Sequence, residues 1–135
     1  MNELAKIGKK RTILISISIL LVSIHTIYFY HSIRPEIDTT KLAQQIIRFS
    51  LTVGLLYLIY IGKYWAKNLA IILFVLATTV AIYSIFNSIA PLIMKIPLIV
   101  MTIVYSFAIY HFQFSKSFKE FINFKEETTN KKNIK

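Results

Sequence analysis

Asn68-Leu69-Ala70-Ile71-Ile72-Leu73-Phe74-Val75-Leu76-Ala77-Thr78-Thr79-Val80-Ala81-Ile82-Tyr83-Ser84-Ile85-Phe86-Asn87 opens a run that carries no charge until Lys95. A helix of about 20 apolar residues crosses the roughly 30 Å of bilayer hydrocarbon, and this run is long enough to do so. Small residues recur along it at Ala66, Ala70, Ala77, Ala81, Ser84 and Ser88, always three, four or seven apart. That spacing puts them on one helix face. In lipid, small side chains are what let neighbouring backbones approach closely. The stretch therefore reads as the packing spine of a helical membrane protein, with Ala70, Ala77, Ala81, Ser84 and Ser88 as its helix-packing positions.

Composition agrees. Of 135 residues 56% are hydrophobic and only 16% charged, whereas soluble domains carry roughly 25% charged residues. The net charge of +10 would suit nucleic acid if it formed a continuous face. Instead the basic residues cluster at the chain ends and between apolar runs, which is how topology signals are distributed, so no nucleic-acid partner is expected. The chain has no cysteine. This excludes disulfides, thiol relays and thiolate metal sites, and with them the four-helix membrane enzymes that generate disulfides.

Read outward from the spine, the chain resolves into one membrane domain, 1–135, with four apolar spans near 12–31, 42–62, 68–90 and 98–115. The first begins with Lys6, Lys9, Lys10 and Arg11. Its apolar core is too long for a secretory leader, and no small-residue cleavage site follows. A loop around Pro35, Glu36 and Asp38 leads to the second span, with Asp38, Thr39 or Thr40 as its cap. Lys63-Tyr64-Trp65-Ala66-Lys67 joins the second and third spans with aromatic rings suited to a membrane interface. Pro91 and Pro97 frame a turn before the fourth. Phe114 at the end of the last span and Phe118, Phe121 and Ile122 of the tail, 116–135, fall at helical spacing, as in a short segment lying on the membrane surface. Beyond it, the polar stretch from Lys125 is expected to be disordered. The fold expected is all-α, a four-helix transmembrane bundle.

Orientation follows from lysine and arginine placement. Twelve of the sixteen fall on one side: Lys6, Lys9, Lys10, Arg11, Lys63, Lys67, Lys116, Lys119, Lys125, Lys131, Lys132 and Lys135. Arg34, Lys41, Arg48 and Lys95 fall on the other. Both termini are therefore expected in the cytoplasm, with the protein a multi-pass component of the cell (plasma or inner) membrane.

None of the six acidic residues lies within a span. Cation-coupled transport usually requires a carboxylate at mid-depth, so the small multidrug antiporters are similar in size only. The histidines, His25, His31 and His111, sit at different heights and lack an HExxH spacing or acidic partners, so no metal site is expected. One polar constellation remains. At 1.5 Å per residue, His25 lies roughly 5 Å and Arg48 roughly 6 Å to the outer side of their span centres. Tyr83, Ser84 and Thr102 fall at comparable depth, and Lys41, Gln45 and Arg48 share a helix face. These residues suggest an outward-opening polar pocket with Arg48 as an anion contact. The competing interpretation is that Arg48 snorkels to the headgroups while His25 bonds a neighbouring helix.

Gly62-Lys63-Tyr64-Trp65-Ala66-Lys67 before one helix and Ser115-Lys116-Ser117-Phe118-Lys119-Glu120-Phe121 after the last resemble a layout found in small bacterial four-span membrane proteins. The resemblance extends over the length of the chain and implies the same architecture and a bacterial origin, without an activity. The function expected is non-enzymatic and without cofactor: binding to a lipid, a partner protein or a second copy, as in an accessory or immunity-type protein. The alternative is a small carrier or channel for an anion or lipid headgroup. An enzyme is not expected, because no nucleophile and base are spaced to react.

Overall fold

Three glycines and three prolines in 135 residues leave long stretches with nothing to interrupt a helix. The computed structural model describes residues 2–33, 36 and 38–135, and within these residues the chain forms five helices: α1 (Glu3–Ile33), α2 (Thr39–Tyr60), α3 (Tyr64–Asn87), α4 (Leu92–Phe114) and α5 (Lys116–Asn133). The turn expected at Pro35, and Arg34 with it, lies outside the described residues. Helices α1 to α4 are long and apolar enough to cross a membrane. They run up and down, each against its chain neighbours, and α4 returns to α1 to close the ring.

Local signals explain the boundaries. Asp38 caps α2, its carboxylate accepting from the backbone N–H of Thr40 at 3.1 Å and Lys41 at 3.3 Å, which satisfies donors that a helix start leaves free. At the other end of α2, Gly62 takes φ +96°. The N–H of Gly62 bonds the Ile59 carbonyl and that of Lys63 the Leu58 carbonyl, the paired bonds of a Schellman turn that glycine permits. Pro91 forms the N-cap of α4, but Pro97 lies inside the helix and is buried. Only Pro91 therefore acts as a turn residue. Pro97 keeps helical geometry and forfeits one hydrogen bond, to the Ile93 carbonyl.

Apolar side chains lie outside the bundle as well as within it. Leu14 and Leu21 of α1, Ile47 and Leu51 of α2, Ile72 and Leu76 of α3, and Ile103 and Phe107 of α4 are all exposed. Apolar outer faces suit a surrounding that is itself apolar. Inside, Ala66, Ala70 and Ala81 of α3 are fully buried. Phe74 interrupts this small-residue face and fills it. Its ring lies 4.9 Å from that of Tyr105 and 6.4 Å from that of Phe112. Of the other packing positions, Ala77 is partly buried against the core, Ser84 is half-buried, and the C-cap Ser88 is exposed.

The tail differs most from expectation. Rather than a short surface turn followed by disordered chain, α5 continues to Asn133 and buries Phe118, Phe121 and Ile122. Its apolar face is covered by the protein itself, principally by the first turns of α1. Gly8 makes this approach possible, since a Cβ there would collide with the Ser117 carbonyl oxygen. Phe121 meets Tyr60 at 5.9 Å, Lys125 lies over the Tyr60 ring at 4.7 Å, and the Tyr64 hydroxyl donates to Asn123 at 3.0 Å. The fifth helix closes the end of the bundle that carries both termini.

Candidate functional site

A polar face of α2 turns toward α1. Lys41 stands 5.7 Å from the centre of the Tyr30 ring, and Gln45 Oε1 meets His31 Nε2 at 3.0 Å. One turn further along, Arg48 faces a cavity of about 80 Å³ between α1, α2 and α4. Its walls are Val22, Ser23, Thr26 and Ile27 of α1, Gln45, Arg48, Phe49 and Thr52 of α2, and Met101 and Tyr105 of α4. That volume well exceeds the roughly 10–15 Å³ needed to hold a water. It lies in the half of the bundle away from the termini.

The hydrogen bonds determine what the cavity offers. Ser23 donates to the Ile19 carbonyl, Thr26 to that of Val22 and Thr52 to that of Arg48. Each hydroxyl proton is thus bound to its own helix, a common arrangement for such residues within helices. These three oxygens can only accept toward the cavity. Donors come from the Arg48 guanidinium and the Gln45 amide nitrogen (its oxygen faces His31), while the Tyr105 hydroxyl is taken up by the Ser23 oxygen. Arg48 also carries the only formal charge in the lining. A planar cation with a neutral donor beside it suits a phosphate or carboxylate.

The sequence-derived constellation is only partly assembled. Arg48 is in the lining. His25 is exposed and stacks on Phe29 at 6.0 Å. Tyr83 is 68% exposed on α3, a helix that contributes nothing to the cavity, and Ser84 belongs to the same helix. Thr102 is half-buried and bonds the Leu98 carbonyl. Gln45, which shares the Arg48 face, is in the lining too, and Ser23, Thr26, Thr52 and Tyr105 stand where His25, Tyr83, Ser84 and Thr102 were expected.

A second concavity, of about 310 Å³, lies nearer the termini on the seam between α1 and α4. It is lined by Arg11, Ile15 and Ser18 of α1, Val104, Phe107, Tyr110 and His111 of α4, and Ser115. Here the Thr12 hydroxyl donates to the Gly8 carbonyl at 2.8 Å and also meets His111 Nε2 at 3.0 Å. Because that one proton is committed to Gly8, His111 donates from Nε2, which fixes its tautomer. Both side chains are buried. Among the described residues, no three His, Asp or Glu side chains come together as a metal site. Comparisons with protein-family models, curated proteins and solved structures found no match.

Proposed function

We propose that the protein is an integral membrane protein that crosses the cell membrane four times with both termini in the cytoplasm. In this reading it acts by binding, with a phosphate-bearing head group held between α1, α2 and α4. The observation that carries the proposal is the donor set of the cavity: one guanidinium and one amide nitrogen around a space sized for a small anion. The orientation is supported by the twelve basic residues grouped at the termini side against four opposite. An accessory or immunity-type role, in which the bound protein assists or protects another membrane component, falls within this reading. So does action through a protein partner or a second copy.

The second reading is a carrier of the same anion. It is favoured by the second concavity on the α1–α4 seam, with the fully buried Ile19 lying on α1 between the two levels.

Titration of the detergent-purified protein with glycerol phosphate, a soluble head group, tests the binding reading. The wild type should bind it. Arg48→Lys should weaken binding severalfold while leaving the amount of inserted protein unchanged, because a point charge lacks the bidentate fork. Arg48→Leu should abolish binding and insert at least as well. Affinity indifferent to both substitutions contradicts the pocket. Flux of the same anion from protein-containing liposomes, above the protein-free rate, would favour the carrier over the static binder.

A further inference from the structure

The polarity of the second concavity is graded along the helix axes. From Arg11 to Ser18 the α1 wall runs about 10 Å into the bundle, and from Ser115 back to Val104 the α4 wall runs about 16 Å. The end nearest the termini presents Arg11, His111 and Ser115, followed deeper by Ile15, Val104 and Phe107 and by Ser18, whose hydroxyl donates back to the Leu14 carbonyl. The mouth opens sideways, since Phe107 and Tyr110 are 66% and 64% exposed and both border it. His111 is held by Thr12 and acts as a wall. The Arg11 side chain is exposed and carries the only fixed charge among the lining residues.

We propose that this cleft between α1 and α4 is the seat of one anionic phospholipid from the leaflet on the termini side, its phosphate on Arg11 and one acyl chain along Ile15, Val104 and Phe107. A soluble anion in transit would leave the apolar depth unfilled, and a neutral lipid would leave the guanidinium unanswered. Charge and polarity gradient together select an amphiphile with a negative head. Basic pockets between spans on the cytoplasmic side hold anionic head groups for this reason. Lys9 and Lys10 beside Arg11 add to the local positive field. The inference rests on the membrane-spanning reading above, and it is independent of the Arg48 cavity, which is lined by other residues.

The test uses the full chain in phosphatidylcholine vesicles containing a trace of phosphatidylglycerol with a photoreactive acyl chain. After illumination, labelled peptides are mapped in the wild type and in Arg11→Gln, Ser18→Phe and Arg48→Gln variants. Wild-type label should concentrate on α1 near Ile15 and on α4 near Val104 and Phe107. Arg11→Gln should reduce it about tenfold, as loss of a charge-assisted contact does. Ser18→Phe, which fills the cleft from an exposed position, should reduce it likewise, and Arg48→Gln should leave it intact. A phosphatidylcholine probe of the same chain should not concentrate there, nor should excess inorganic phosphate displace the lipid. Label spread evenly over all four helices, or unmoved by Arg11→Gln, overturns the lipid seat while leaving the four-span reading standing. Protein that is washed from the vesicles by alkaline carbonate overturns both.

Discussion

Thr12 serves two helices with one hydroxyl. It donates within α1 to Gly8 and accepts from His111 of α4, both bonds being buried. Removing the hydroxyl leaves a buried imidazole N–H without a partner, at a cost of about 1–3 kcal/mol. Thr12→Val, nearly equal in shape, should therefore lower the melting temperature in detergent, and Thr12→Ser should restore most of it. Equal melting temperatures for Thr12→Val and the wild type would mean that the contact contributes nothing. His25 offers the contrasting case. Exposed and stacked only on Phe29, it should tolerate Ala with no loss of glycerol phosphate binding, measured beside Arg48→Lys. Position along a helix was legible in the sequence, which is how Arg48 was singled out, and it lines the cavity. Rotation about the helix axis was not. Ser23 and His25 differ by two residues, or about 200°, so one lines the cavity and the other points away. Gln45 was legible because it shares a face with Arg48, whereas Tyr105 required knowing that α4 returns to α1.

Among the elements, α3 and α5 show how differently a helix can declare itself. The spine of α3 was legible because an uncharged run longer than a membrane is thick has few alternatives, and its small residues repeat at helical spacing. Phe74 was hidden in the seven-residue step from Ala70 to Ala77, although it is the bulkiest buried side chain on that helix. Ala81 is 1% exposed and Ile82 41%. Ala81→Leu should thus cost about 1–3 kcal/mol by overpacking, and Ile82→Leu should be close to neutral. Thermal unfolding in one detergent compares them, and equal losses would remove the packing role from that face. Helix α5 was legible only in its apolar spacing. Its partner is the start of α1, more than a hundred residues away in sequence, and no local pattern reports such a pairing. Gly8→Leu should push Ser117 away and detach α5. Faster proteolysis at Lys119 and Lys125, with the four spans still protected, is the expected result. Cleavage as slow as in the wild type would contradict the close approach.

For the whole molecule, charge and topology describe the same object. Lys6, Lys9, Lys10 and Arg11 open α1, Lys63 and Lys67 flank the start of α3, and six lysines follow Phe114. The up-and-down ring brings all of these to one end, where α5 covers the opening. The opposite end has Lys41, Arg48 and Lys95 among the described residues, and of these Arg48 alone faces a cavity within the bundle. Such an imbalance of basic residues orients a protein on insertion. It also makes the account vulnerable to a single observation, because every depth used above depends on four crossings. The chain contains no cysteine, so each introduced thiol reports alone. Labelling of Glu36→Cys, Lys67→Cys, Lys95→Cys and Lys135→Cys in intact cells with a membrane-impermeant maleimide is the most direct test. Glu36→Cys and Lys95→Cys should react from outside, and Lys67→Cys and Lys135→Cys only after the membrane is opened. Reaction of Lys135→Cys in intact cells would contradict the four-span topology and the sites derived from it.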